Sequence, residues 1–395
     1  MGEVPVSRFV YFSVILITCR AFSWCAEIPV AQAAGGKDMA AQEEQLRKEV
    51  SDKGWIIFSA NPKEIETAQP AGGSGAGQEL ELYRMRPDGT KIRRITKTTG
   101  VKNIYPRISP DGKKILFQQI PSSKKNTHDL KGEMGEFCIC NLDGTGFTVY
   151  GKKDEFPWAS FSPDMKQLGC LFRKEGKIKI FDYKTKKVVK EMAAGGIARQ
   201  LRWSLDGKYF CGTGNHKGLP WWEIIGINIA TGETLLFTRE GGSCTPDWFR
   251  SDLIMIVYSN RNPKIGEKGT GDKEYGTTTL MRADASGKKK KLIFADITTH
   301  VYGGCLSPDD KYVIFWGSGG EGGTQIAGEY DRQLRIVRME DTPVVLPGFD
   351  ELQKLYPGAK EGPVLHPKRE DGKTILVGDL NSAWSYAEVP EEKIK

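Results

Sequence analysis

The sequence predicts an all-β fold: a β-propeller of four-stranded blades, six in number, with seven as the alternative. Three observations predict it. A strand–turn–strand motif centred on Ser-Pro-Asp-Gly recurs along the chain, a second hairpin signal separates successive copies, and glycine is abundant, at 46 of 395 residues alongside 20 prolines. Such turn-rich composition favours short strands over long helices. With 39% hydrophobic and 27% charged residues the chain is globular, with enough apolar surface for a large core.

Residues 1–33 read as a secretory signal. Arg8 precedes the apolar run from Phe9 to Thr18, and Ala31-Gln32-Ala33 supplies a small-residue cleavage site. The run is too short for a membrane span, which needs about 20 apolar residues; an uncleaved anchor is the alternative. A lipoprotein is disfavoured, because Thr18 stands where a small residue normally precedes the acylated cysteine. The charges removed with this segment cancel, so the mature chain keeps the net charge of +7 and has no transmembrane span. It is expected in the periplasm or outside the cell. No basic stripe dominates, so nucleic acid is not an expected partner. Residues 34–53 read as a polar helix or linker, 54–389 as the propeller and 390–395 as a tail.

The motif appears as YPRISPDGKKILFQ from Tyr105, PWASFSPDMKQLGCLF from Pro157 and QLRWSLDGKYFCGTG from Gln200. It returns as TPDWFRSDLIMIVYS from Thr245 and GGCLSPDDKYVIFWG from Gly303, with a degenerate copy, PVLHPKREDGKTILVG, from Pro363. Between copies lie hairpin signals such as LYRMRPDGTKIRRIT and FCICNLDGTGFTVY. Each unit therefore has four short strands in about 50 residues, too little to bury both faces alone, so neighbours must stack. Radial closure then removes exposed sheet edges. Six copies imply six inner strands, the one from Pro363 being the sixth. Trp55–Ala60 and Trp384–Val389 are additional strands that close the ring or complete a seventh blade.

The SPDGKKILF and LYRMRPDGTKIRRIT segments resemble the WD-type propeller repeats of TolB-like proteins, and more distantly those of prolyl-oligopeptidase propellers. The resemblance runs from residue 55 to about 390. It implies an exported propeller of the cell envelope whose work is binding rather than catalysis.

No G-x-S-x-G elbow occurs, so serine hydrolysis is not expected. Gly317–Gly322 fits G-x-G-x-x-G but leads into another strand, not a helix, and reads as a blade loop. The four histidines, His128, His216, His300 and His366, lack metal-ligand spacing, although His300 and His366 lie at inner-strand positions that face a channel. The Asp-Gly pairs lack a calcium-loop ligand series and read as turns. The lysine runs at 184–187 and 288–291 read as solvated outer hairpins. Cys138, Cys140, Cys170, Cys211, Cys244 and Cys305 remain after the signal; buried free thiols are expected, one disulfide being the alternative.

The inner strands carry the candidate site. Ile108, Phe161, Trp203, Trp248 and Leu306 fall on one parity and pack between blades. Strict alternation puts Tyr105, Arg107, Trp158, Gln200, Arg202, Thr245 and Asp247 on the other face, with His300 and Tyr302 beside them. These nine residues are expected around the channel mouth at the inner-strand starts. Convergent arginine, carboxylate and aromatic groups suit a segment of an envelope or periplasmic protein, or an anionic glycan. No catalytic residue, metal ligand or cofactor is assigned. The alternative is a metal-assisted carbohydrate-active enzyme resembling the oligogalacturonate-lyase propellers. There Arg107, Arg202, Asp247, His300 and Tyr302 would serve the chemistry, a uronate carboxylate being neutralised while a base removes the α-proton.

Overall fold

A computed structural model of the chain describes residues 36–67, 77–124, 135–219, 222–252, 254–262, 277–295, 299–319, 332–340, 344–345, 354, 358–378 and 382–389. The segment 1–33 expected to be a signal, the expected tail 390–395 and His128 lie outside these residues, as does most of the glycine-rich loop at 71–77.

The repeat unit forms because of its turn. In blade 2 the Ser109 hydroxyl donates to the Asp111 carboxylate and accepts the Lys114 backbone N–H at 2.9 Å, while Asp111 also takes the Lys113 N–H at 3.1 Å. The same triangle recurs at Ser162–Asp164, Ser204–Asp206 and Ser307–Asp309. Each turn hands the inner strand to a second strand that is buried on both faces between neighbouring blades, and such strands read as continuous apolar runs rather than alternating ones. Lys114–Pro121 and Tyr209–Asn215 are buried throughout their interiors, and the apolar runs are their first halves, Ile115–Phe117 and Tyr209–Cys211.

Six antiparallel sheets form the six blades of a propeller. The inner strands of blades 2 to 6 are Val101–Ile108, Ser160–Phe161, Ile197–Trp203, Ser243–Trp248 and Thr299–Leu306. Blade 1 is closed by both ends of the propeller. Trp55–Ala60, Glu81–Met85 and Arg93–Arg94 supply three strands, and Ser382–Ser385 pairs with Trp55–Ala60 as the innermost one. Blade 5 carries two further short parallel strands, Val344–Val345 and Lys360–Glu361, on its outer edge.

This closure gives the expected six blades and corrects one expectation. Trp55–Ala60 and Ser382–Ser385 belong to one sheet, so they close the ring and do not complete a seventh blade. The segment from Pro363 is not an inner strand. Leu365 exchanges both backbone hydrogen bonds with Ile336, at 2.9 and 3.0 Å, which puts it on the outer side of blade 6. His366 therefore faces away from the channel, with its Nδ1 4.0 Å from Glu43 of the N-terminal helix.

The helix α1 (Gly36–Val50) is docked on the propeller. Leu46 and Val50 are fully buried in a cluster that includes Ile336, Leu365 and Trp384. Arg338 grips Glu49 through two bonds of 2.8 Å, and Arg47 donates to the carbonyls of Asp88 and His366. The helix thus ties blade 1 to blade 6 across the closure.

The six cysteines among the described residues are free thiols, four of them buried. Burial pushes the thiols of Cys138, Cys140 and Cys305 up to about 12, so they stay protonated and unreactive at neutral pH.

Candidate functional site in the channel

The inner strands are not regular. In blades 2, 4, 5 and 6 the pairing register shifts between Ile104 and Arg107, Arg199 and Arg202, Cys244 and Asp247, and Tyr302 and Cys305. Each shift is a bulge, two residues opposing one, and it breaks side-chain alternation. At the same place in five blades the backbone turns left-handed: Tyr105, Trp158, Gln200, Thr245 and Gly303 have φ of 54°, 52°, 57°, 55° and 68°. Four of these five are not glycine, and a left-handed β-branched residue such as Thr245 is a genuine outlier. Such strain persists only where surrounding contacts enforce it.

Here the contacts are visible. The rings of Tyr105 and Trp158, equivalent residues in adjacent blades, lie 4.9 Å apart between centroids. Gln200 accepts the Thr245 N–H at 2.9 Å through its Oε1, and the Thr245 hydroxyl in turn accepts the Gly303 N–H at 3.3 Å. In three successive pairs, Tyr105–Trp158, Gln200–Thr245 and Thr245–Gly303, the bulge residue of one blade thus meets its equivalent in the next. The alternation expected from sequence fails at this step, and these four side chains form a largely buried belt joining the blades.

Two residues further on, a second series reaches across blades. Arg107 donates to the carbonyls of Ala159 and Leu201, at 2.8 and 3.1 Å, and stands 5.6 Å from the centre of the Trp158 ring. The Ser160 hydroxyl accepts the Trp203 N–H at 3.0 Å, and Asp247 accepts the Leu306 N–H at 3.2 Å. Arg202 is the exception: its carbonyl accepts the Trp248 indole N–H at 3.3 Å, but its guanidinium makes no hydrogen bond or ion pair with any described residue, and its Nε is buried.

Arg107, Arg202 and Asp247 line one pocket, with room of about 80 Å³. Its walls are Ser160, Phe161, Trp203, Trp248 and Arg250, and its lining runs on to Pro110 and Leu205. It therefore extends toward the ends of the inner strands, on the side of the Ser–Asp turns, rather than toward their starts. Burial, with the Arg202 charge beside it, holds the Arg107 guanidinium well below the ordinary arginine range. Of the nine expected residues the structure gathers three in this pocket and four in the adjoining belt. The side chains of His300 and Tyr302 lie outside the described residues.

Comparison with known proteins agrees on architecture. Neither the family models nor the curated protein sequences match this chain. Among solved structures, TolB from Acinetobacter baumannii superposes with a TM-score of 0.51 at 17% identity, over 88% of this chain and 72% of that one. The fold is that of a TolB-like propeller. A chain of a nidogen/laminin complex gives a TM-score of 0.50 at 8% identity, over 84% of this chain and 99% of the other. A putative TolB from Agrobacterium tumefaciens gives 0.44 at 17% identity, over 72% and 85%.

Arg250 was not singled out from the sequence, yet a signal was there. The motif serine and the residue after it read Ser109-Pro110, Ser162-Pro163, Ser204-Leu205 and Ser307-Pro308, but Phe249-Arg250 in blade 5. That departure places a third guanidinium in the pocket. Among the described residues no group of three His, Cys, Asp or Glu side chains is arranged to hold a metal ion, and no helix is long and apolar enough to cross a membrane.

Proposed function

We propose that this chain is an exported binding propeller that docks a segment of an envelope or periplasmic protein at the channel. The observation that carries the reading is the pocket itself. Aromatic walls from Phe161, Trp203 and Trp248 stand beside the charged groups of Arg202, Asp247 and Arg250. An apolar lining with a few convergent polar groups is what fixes a ligand's orientation in a recognition site. The surrounding belt of interblade hydrogen bonds holds that lining rigid, which lowers the ordering cost of binding. A nidogen/laminin complex includes a chain of the same architecture, and holding a partner is the use proposed for this one.

The experiment is affinity capture by the tagged full chain from solubilised envelope of the source cells, with partners identified by mass spectrometry. Leu205 lines the pocket and is part-exposed, so Leu205→Trp narrows it from the turn side. A partner held by wild type at one-to-one ratio and released by Leu205→Trp supports the reading. A partner held equally by both, or unsaturated uronate released from polygalacturonate by the purified chain, overturns it.

A further inference from the structure

The pocket holds three guanidinium groups against one carboxylate, and the three are not equivalent. Arg107 is committed, its Nη1 donating to two carbonyls, one on the neighbouring blade 3 and one on blade 4. The Arg250 guanidinium makes a single long bond, from Nη1 to the Ser307 carbonyl at 3.5 Å, and its other donors make none with the described residues. The Arg202 guanidinium makes none at all with them, although the side chains of its equivalents Arg107, Ser160 and Asp247 all bond to a neighbouring blade. A part-buried guanidinium beside a second one costs stability unless an acceptor meets it. A fork of parallel N–H donors is the geometry that suits a planar oxyanion.

Size and charge narrow the oxyanion. Room of about 80 Å³ admits a head group of a few heavy atoms. Asp247 in the same wall repels the second charge of a phosphate dianion. Trp203, Trp248 and Phe161 offer apolar surface to the carbon chain that bears the group. We propose that Arg202 and Arg250 bind a carboxylate of the docked peptide, supplied by an acidic side chain or by a chain end. This deepens the binding reading above and rests on it.

The test titrates the full chain with sodium acetate, and with acetamide as the neutral isostere, at constant ionic strength. Melting temperature and tryptophan fluorescence are the readouts. Acetate is expected to raise the melting temperature in a saturable way and acetamide to leave it unchanged. Arg202→Gln is expected to weaken the acetate response at least tenfold without lowering the melting temperature in its absence. Arg250→Gln, expected to weaken it in the same sense, serves as the second variant should the first fail to fold. Equal responses to acetate and acetamide, or wild-type responses in the variants, overturn the proposal. So does a phosphate response that exceeds the acetate response and is lost in Arg202→Gln.

Two peptides separate the sources: acetyl-Gly-Asp-Gly-amide presents a side-chain carboxylate, and acetyl-Gly-Gly-Gly presents a free chain end. Tighter binding of either than of acetyl-Gly-Gly-Gly-amide supports the proposal and assigns the source, while no gain from either overturns it. The acetate titration needs no partner. A partner that Leu205→Trp releases but Arg202→Gln still holds at full affinity therefore overturns the carboxylate proposal and leaves the binding reading standing.

Discussion

The indole of Trp384 donates to the backbone carbonyl of Lys53 at 2.7 Å, joining the two ends of the propeller inside one blade. The same ring is buried at 1% exposure against Tyr312 and Tyr386, and Ile56 pairs with Trp384 in the sheet. Closure therefore depends on a strand that is last in sequence and innermost in space.

Trp384→Ala is expected to cost about 3–5 kcal/mol, as large-to-small changes of buried aromatic residues do. The check is a fall in the urea midpoint. An unchanged midpoint would show that α1 closes the ring without this strand.

Arg107 and Arg202, alike in sequence position, are expected to behave oppositely. Arg107→Ala strips charged donors from two carbonyls on blades 3 and 4 and is expected to lose about 3 kcal/mol. Arg202→Gln removes a charge that no described residue meets, and stability is expected to hold or rise. Chemical denaturation of the two single variants compares them directly.

Ser204 is fully buried, donates to Asp206 at 2.7 Å and accepts the Tyr209 N–H at 2.9 Å. Ser204→Ala leaves that N–H and carboxylate without the hydroxyl, a loss of about 1–3 kcal/mol. Ser204→Thr keeps the hydroxyl and is expected to restore part of it. Thermal melts of the pair provide the check.

Glu223 lies at zero exposure, where burial raises its carboxyl above the ordinary 4.5, against the lowering effect of the bonds from Thr238 and the Gly241 N–H. The charge of Glu240 raises it further and that of Lys290 lowers it. Because the folded value is the higher one, the stability from this group is complete below the unfolded value and is lost as pH rises through the folded one. Glu223→Gln is expected to melt above wild type at pH 8, the gap shrinking as pH falls toward 4.5. A gap that widens toward acid would reverse the sign of this account.

The repeat and the blade count were legible because the Ser–Asp turn is a local device: its donors and acceptors lie within five residues of one another. The candidate residues were legible in part, since five aligned copies show which positions recur. The bulge was not. Nothing in YPRI or QLRW announces a left-handed residue, because Tyr105 and Gln200 are held there by neighbours from other blades, against their own preference.

What the sequence by itself determined is the unit: short strands, tight turns and apolar second strands that must be covered on both sides. Only the tertiary structure decided which segment closes the ring, why the Pro363 copy moved to an outer edge, and that Arg202 alone of its series goes unmet. These outcomes rest on contacts between residues far apart in the chain. A local pattern specifies hydrogen bonds within a hairpin, whereas pairing between hairpins is chosen by the geometry of the closed ring.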